Sequence, residues 1–264
     1  MLMAVKNQIK VILLSTKYNI MKQMTNKVTF ITNIVFMILN NASFILQWLI
    51  LFRLKDNIGG YTIKDVLLLW GLAASTYGIA HIFFNKAFQI SDLIMNGKLD
   101  TFLVQPKSVF LGVITSDTSI SAIGDLIYGY ICLALYGITI KNFILFTLFS
   151  ITGATILTSF TSIIGSFAFW IVKADSVADS LTSMMINFAT YPGTIFKNII
   201  RLLLYTVIPV GIANYIPVDI IREFSYEKTM LVISFSILIM ILAFIVFYRG
   251  LKRYSSSNLM SSRI

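Results

Sequence analysis

The sequence predicts an all-α polytopic membrane protein with six transmembrane helices. It adds an N-terminal interfacial helix, a short cytosolic helix between spans two and three, and a re-entrant segment between spans five and six. Three observations carry this reading. Of 264 residues, 57% are hydrophobic and 12% charged, with mean hydropathy +0.84, whereas a soluble domain has about a quarter of its residues charged. Apolar runs recur near the ~20 residues that a helix needs to cross about 30 Å of hydrocarbon. The net charge of +10 comes from basic residues flanking those runs, where they set topology and meet anionic lipid rather than nucleic acid.

In chain order, residues 1–28 are basic and partly apolar, with Val5, Ile9, Ile12, Thr16 and Ile20 on one helical arc and Lys6, Lys10 and Lys17 beside it. That pattern suits a helix lying in the membrane interface with snorkelling lysines. The lysines interrupt any continuous apolar region and no cleavage site follows, so it is not read as a signal peptide. A single transmembrane domain, 29–248, comes next. Its spans are expected at about Thr29–Phe52, Val66–Phe84, Phe110–Ile138, Phe143–Val172 and Thr229–Tyr248. Two stretches compete for the remaining crossing: Val177–Tyr191, and the stronger Ile199–Ile216, which Pro209 interrupts. Proline removes a helix donor, so the second is expected to bend or re-enter. Residues 249–264 form a basic tail.

With six spans and both ends inside, the inner segments hold Lys6, Lys10, Lys17, Lys22, Lys27, Lys86, Lys98, Lys107, Lys173, Arg249, Lys252, Arg253 and Arg263, against Asp92, Asp100, Asp175 and Asp179. The outer segments hold Arg53, Lys55, Lys64, Lys141, Lys197, Arg201, Arg222 and Lys228, against five acids. The basic excess lies inside, as the positive-inside rule requires.

Few residues are equipped for chemistry. One cysteine, Cys132, and one histidine, His81, exclude a disulfide framework and any site of several His or Cys ligands, and the carboxylates are too scattered for a metal cage. The sole Gly-Lys pair, Gly97-Lys98, is followed by Leu99 and preceded five positions earlier by Asp92, so no Walker A loop exists. Asp117 and Asp125 share one span and cannot form the facing pair of an aspartyl protease. Asp125 within a span must face protein or a cavity, because a carboxylate costs roughly 2.5–3.5 kcal/mol at the membrane centre. Asn40, Asn41 and Asp125 are therefore the candidates to line a pathway. The polar residues of the first and fourth spans read chiefly as interhelical packing.

Ile90, Leu93 and Ile94 have helical spacing ahead of a glycine stop at Gly97. The segment that follows, Gly97-Lys98-Leu99-Asp100-Thr101-Phe102-Leu103-Val104-Gln105-Pro106, resembles the Gly-x-Leu-Asp-x-x-Leu-x-x-Pro element of ABC-2 type permeases, membrane subunits of one class of ATP-binding-cassette exporter. Tyr191-Pro192 and the breaks at Pro209 and Pro217 resemble that family's turn and re-entrant helices. Arg249 to Tyr254 resembles its basic ending. The resemblance implies a bacterial plasma-membrane exporter subunit with no cofactor of its own, both termini cytosolic. It implies a second permease subunit, identical or related, and a cytosolic ABC ATPase that holds ATP and Mg. It further implies that Ile90, Leu93, Ile94, Gly97, Leu99 and Asp100 couple the permease to that ATPase, with Leu93 and Ile94 as anchors in its groove. A self-contained secondary carrier or channel is the alternative, and it should show an internal repeat and buried charge relays.

Overall fold

A computed structural model describes residues 2–171 and 174–255. The expectations resting on Val172, Lys173 and Arg263 lie outside the described residues, as do the side chain of Lys6 and the last part of the 249–264 tail. Among the described residues the chain is helical, with one isolated bridge between Ile58 and Tyr61. The helices are α1 (Leu2–Gln23), α2 (Lys27–Leu54), α3 (Ile63–Phe83), α4 (Ile90–Met95), α5 (Asp100–Leu103), α6 (Val109–Ile114), α7 (Ser121–Tyr136), α8 (Ile140–Ser166), α9 (Ala174–Phe188), α10 (Asn198–Thr206), α11 (Ile216–Arg222) and α12 (Tyr226–Leu251). Four of them, α2, α3, α12 and α8 with its 3₁₀ extension, are long and apolar enough to cross a membrane. The pair α10 and Gly211–Arg222, bent by 79°, makes a fifth if taken as one span.

The centre is built on close helix contact. Around Gly71, Ser75 and Gly78, α3 lies so near α7 that a Cβ on Gly129 would fall 1.9 Å from Ser75 Oγ and 2.5 Å from the Gly71 carbonyl oxygen. Small residues permit such approach where lipid offers no hydrophobic drive between helices, and dispersion supplies the attraction. On its flank α8 packs against α3 and α12. Its hydroxyls at Ser150, Thr161, Ser162 and Ser166 each donate to the carbonyl four residues back. They are thereby satisfied within the helix and leave its surface free to pack.

The expected continuous third span, Phe110–Ile138, is corrected. The chain leaves helix at Thr115 and resumes at Ser121. The reason is non-local: the polar run there gains partners from α1, with Ser15 Oγ donating to the Thr115 carbonyl at 2.7 Å and Gln23 Nε2 to the Thr118 carbonyl at 2.6 Å. Ser119 N–H also donates to the His81 carbonyl. Free backbone groups stay unwound only where such partners exist. The same contacts turn the polar side of α1 inward and leave Ile9, Leu13 and Tyr18 exposed.

The two ends of the bundle gather different segments. At one end, the C-termini of α8 and α12 meet α4 and α6 in a dry cluster where Phe247 packs between Phe110 (5.1 Å between ring centroids) and Phe169 (5.7 Å). At the other end Thr62 and Asp65 form a capping box at the start of α3, and Asp65 also pairs with Arg222 at 3.1 Å. Arg222 donates to the Gly60 carbonyl, and Thr194 to that of Gly59. Both flanks of the bent α10–α11 pair thus return to the same 59–65 turn.

A central cavity and a packed loop

Between α2, α3, α7, α9 and the turn before α11 lies a cavity of about 570 Å³, within the roughly 300–1,000 Å³ range of small-molecule sites. The three residues expected to line a pathway all border it. Asn41 donates to Asp125 Oδ1 at 2.6 Å, both side chains buried. Gly124 makes that pair possible, because a Cβ there would stand 2.5 Å from the Ile34 carbonyl oxygen and would push α2 away. Asn40 is on the same wall but exposed.

Sequence reasoning missed most of the remaining lining. Phe44 stacks on Trp70 (5.5 Å), and Trp48 meets Tyr191 edge-on (6.0 Å), forming aromatic walls. Asn214 reaches in from a π-helical turn, Gly211–Tyr215, where its amide donates to the Ala189 carbonyl at 2.7 Å. The break at Pro209 precedes this turn, and Pro217 sits in the first turn of α11, a position where proline's missing N–H costs nothing. Tyr191 and Pro192 form the turn out of α9. Buried Trp70 and Thr76 left no periodic signal, since α3 is buried on nearly all sides.

Among the described residues, four polar atoms of residues that line this cavity meet no partner: Trp70 Nε1, Thr76 Oγ1, Asp125 Oδ2 and Asn214 Oδ1. Their residues are 9%, 6%, 4% and 2% exposed. An unpaired buried polar group costs about 1–3 kcal/mol, so each of the four leaves hydrogen-bonding capacity in a residue of the cavity wall.

The loop helix takes its expected position but not its expected face. α4 runs from Ile90 to Met95 and ends in a Schellman motif, with Gly97 at φ 66°, Gly97 N–H on the Ile94 carbonyl and Lys98 N–H on that of Leu93. Ile90, Ile94 and Leu99 are fully buried and Leu93 nearly so, all packed within the chain's own cluster with Ala168, Phe169 and Phe247. Leu93 and Ile94 as anchors in a partner's groove are thereby corrected: apolar spacing marked the buried face, and the chain itself covers it. The outward face carries Asp92 and Asn96, with Asp92 paired to Lys98 at 3.3 Å. Asp100 faces the Tyr254 hydroxyl; burial first, then the Asp100 carboxylate, pushes that hydroxyl's pKa up to about 12.

A half-open, largely apolar cavity among membrane-length helices leaves the role to be decided by comparison of sequence. Residues 12–258 match the family described as ABC-2 family transporter protein. The chain belongs to that family. An ABC-2 permease is the membrane component of an ABC transporter, multi-pass and not itself catalytic, and it associates with an ATP-binding subunit. Neither a curated protein nor a solved structure matches this chain.

Proposed function

We propose that this ABC-2 protein is the permease of an exporter in the bacterial plasma membrane, driven by a separate cytosolic ATPase that holds ATP and Mg. Two permease subunits pair through lipid-exposed helices such as α2, in which Asn41, Ile45 and Trp48 alone are buried within one chain. The layout is six crossings, α2, α3, α7, α8, α9 and α12, with both termini inside and α10–α11 re-entrant. The return of both flanks of α10–α11 to the 59–65 turn supports this layout, as does the path of α9 from the α4 cluster at Ala174 to Tyr191 at the far end.

The observation that carries the function is the cavity itself, with its buried Asn41–Asp125 pair; of its walls, α9 starts at Ala174 in the cluster that holds α4 and α6. ATPase closure moves that block, and the spans rock about the cavity. α4 engages the ATPase through its outward side, Asp92 and Asn96, while Ile90, Leu93, Ile94 and Leu99 tie it to the spans and Gly97 and Asp100 set the exit from the helix.

Cys132 is buried, so thiol labelling reports introduced cysteines. In whole cells a cysteine at Asn57 reacts with an impermeant reagent and one at Asn96 does not. In proteoliposomes the permease–ATPase complex expels substrate with ATP, and Asp92→Lys with Asn96→Lys uncouples hydrolysis from export. Labelling of Asn96 from outside, or substrate movement by the permease alone on an ion gradient, overturns this reading in favour of a carrier.

A further inference from the structure

We infer that the central cavity selects protonated amines bearing an aromatic or apolar body, with Asp125 as the counter-ion; this rests on the cavity being the substrate site proposed above. Three features of the lining point to that class.

The first is charge. Asp125 is the one ionisable carboxylate among the described lining residues, and no lysine or arginine lines the cavity with it. Its Oδ1 is engaged by Asn41, while Oδ2 is buried and unpaired. A cation placed against Oδ2 would satisfy the carboxylate's remaining hydrogen-bonding capacity and compensate a charge held away from water.

The second is hydrogen-bond sense. Of the four unpartnered atoms, Asp125 Oδ2 and Asn214 Oδ1 accept only, Thr76 Oγ1 can accept, and only Trp70 Nε1 must donate. The set asks for a ligand rich in N–H donors. A carboxylate or phosphate could take donors from Trp70, Thr76 and lining amides such as Asn40, but it would meet the repelling Asp125 carboxylate.

The third is the wall. Trp70 with Phe44, and Trp48 with Tyr191, present aromatic surface beside that acceptor set. Aromatic faces attract cations, most strongly where water is excluded, and accommodate flat apolar bodies.

The test uses the full-length chain in nanodiscs of zwitterionic lipid, by equilibrium dialysis with binding to empty nanodiscs subtracted. The probes share one body and differ in head group: 1-naphthylmethylamine, its trimethylammonium analogue, 1-naphthylmethanol and 1-naphthoate. The amine binds about tenfold or more tightly than the alcohol and the carboxylate, with the trimethylammonium between, since it keeps charge but loses donors. Asp125→Asn weakens the amine about tenfold and the alcohol less than about twofold. Equal binding of amine and carboxylate by the unsubstituted chain overturns the inference, whether or not Asp125→Asn folds. An unchanged amine-to-alcohol ratio in a folded Asp125→Asn chain overturns it as well.

The two proposals fail separately in the complex with its ATPase. Selective amine binding without ATP-driven movement sinks the exporter and leaves the cavity's preference standing. ATP-driven movement of the naphthoate in place of the amine does the reverse.

Discussion

The α4 end and the central cavity are built from the same kinds of helix, yet one is closed on itself and the other is left open. At the α4 end Phe247 is fully buried, Phe110 packs tilted and Phe169 edge-on against it, and a Schellman motif closes the helix. On residues lining the cavity, four buried polar atoms have no partner among the described residues. The contrast separates two tasks. A block that transmits movement must be stiff and dry, because interiors packed to crystal density pass displacement on. A site that receives a ligand must keep hydrogen-bonding capacity in reserve.

Three substitutions break or sharpen that contrast. Phe247→Ala should be the most damaging, at about 3–5 kcal/mol, since it empties the centre of a cluster that cannot collapse around the loss; unfolding titration in detergent reads it, and a cost below 1 kcal/mol would mean that the block is loose. Gly129→Ala follows at about 1–3 kcal/mol, because its methyl group meets Ser75 Oγ at 1.9 Å and the Gly71 backbone at 2.5 Å. A lowered melting temperature with intact membrane insertion checks it. The smallest effect is at the cavity. Thr76→Val keeps the shape and removes an oxygen that has no partner, so stability should stay within about 0.5 kcal/mol of the parent or rise, since replacing an unpaired buried group removes a penalty. A loss above 2 kcal/mol would show that the hydroxyl is satisfied within the fold.

Much of this fold was legible in the sequence, because long apolar runs between charges need no context. α2, α3, α8 and α12 fall close to their expected limits. The third span was drawn too long because nothing local shows that Ser15 and Gln23, roughly a hundred residues away, would supply partners for an unwound backbone at Thr115 and Thr118. Leu93 and Ile94 illustrate a different limit. Helical spacing tells which residues share a face, and it does not tell whether the chain or a partner covers that face. At the cavity, Asn40, Asn41 and Asp125 stood out because polar groups in an apolar run demand an explanation. Trp70 and Thr76 did not, since either is unremarkable within a span, and Asn214 was hidden by the irregular turn that carries it.

The unequal lengths of the helices bear on the lipid around them. At 1.5 Å per residue, the 16 residues of α7 and the 15 of α9 reach only about 22–24 Å. Both leave large apolar side chains exposed, Ile127, Ile131 and Leu135 on α7 and Val177 and Met184 on α9. On the six-crossing layout the bilayer must thin where it meets α7 and α9, at a cost of a fraction of a kcal/mol per ångström. Acyl-chain length then acts on the two short walls of the cavity, so shorter-chain lipids relax them and longer-chain lipids load them.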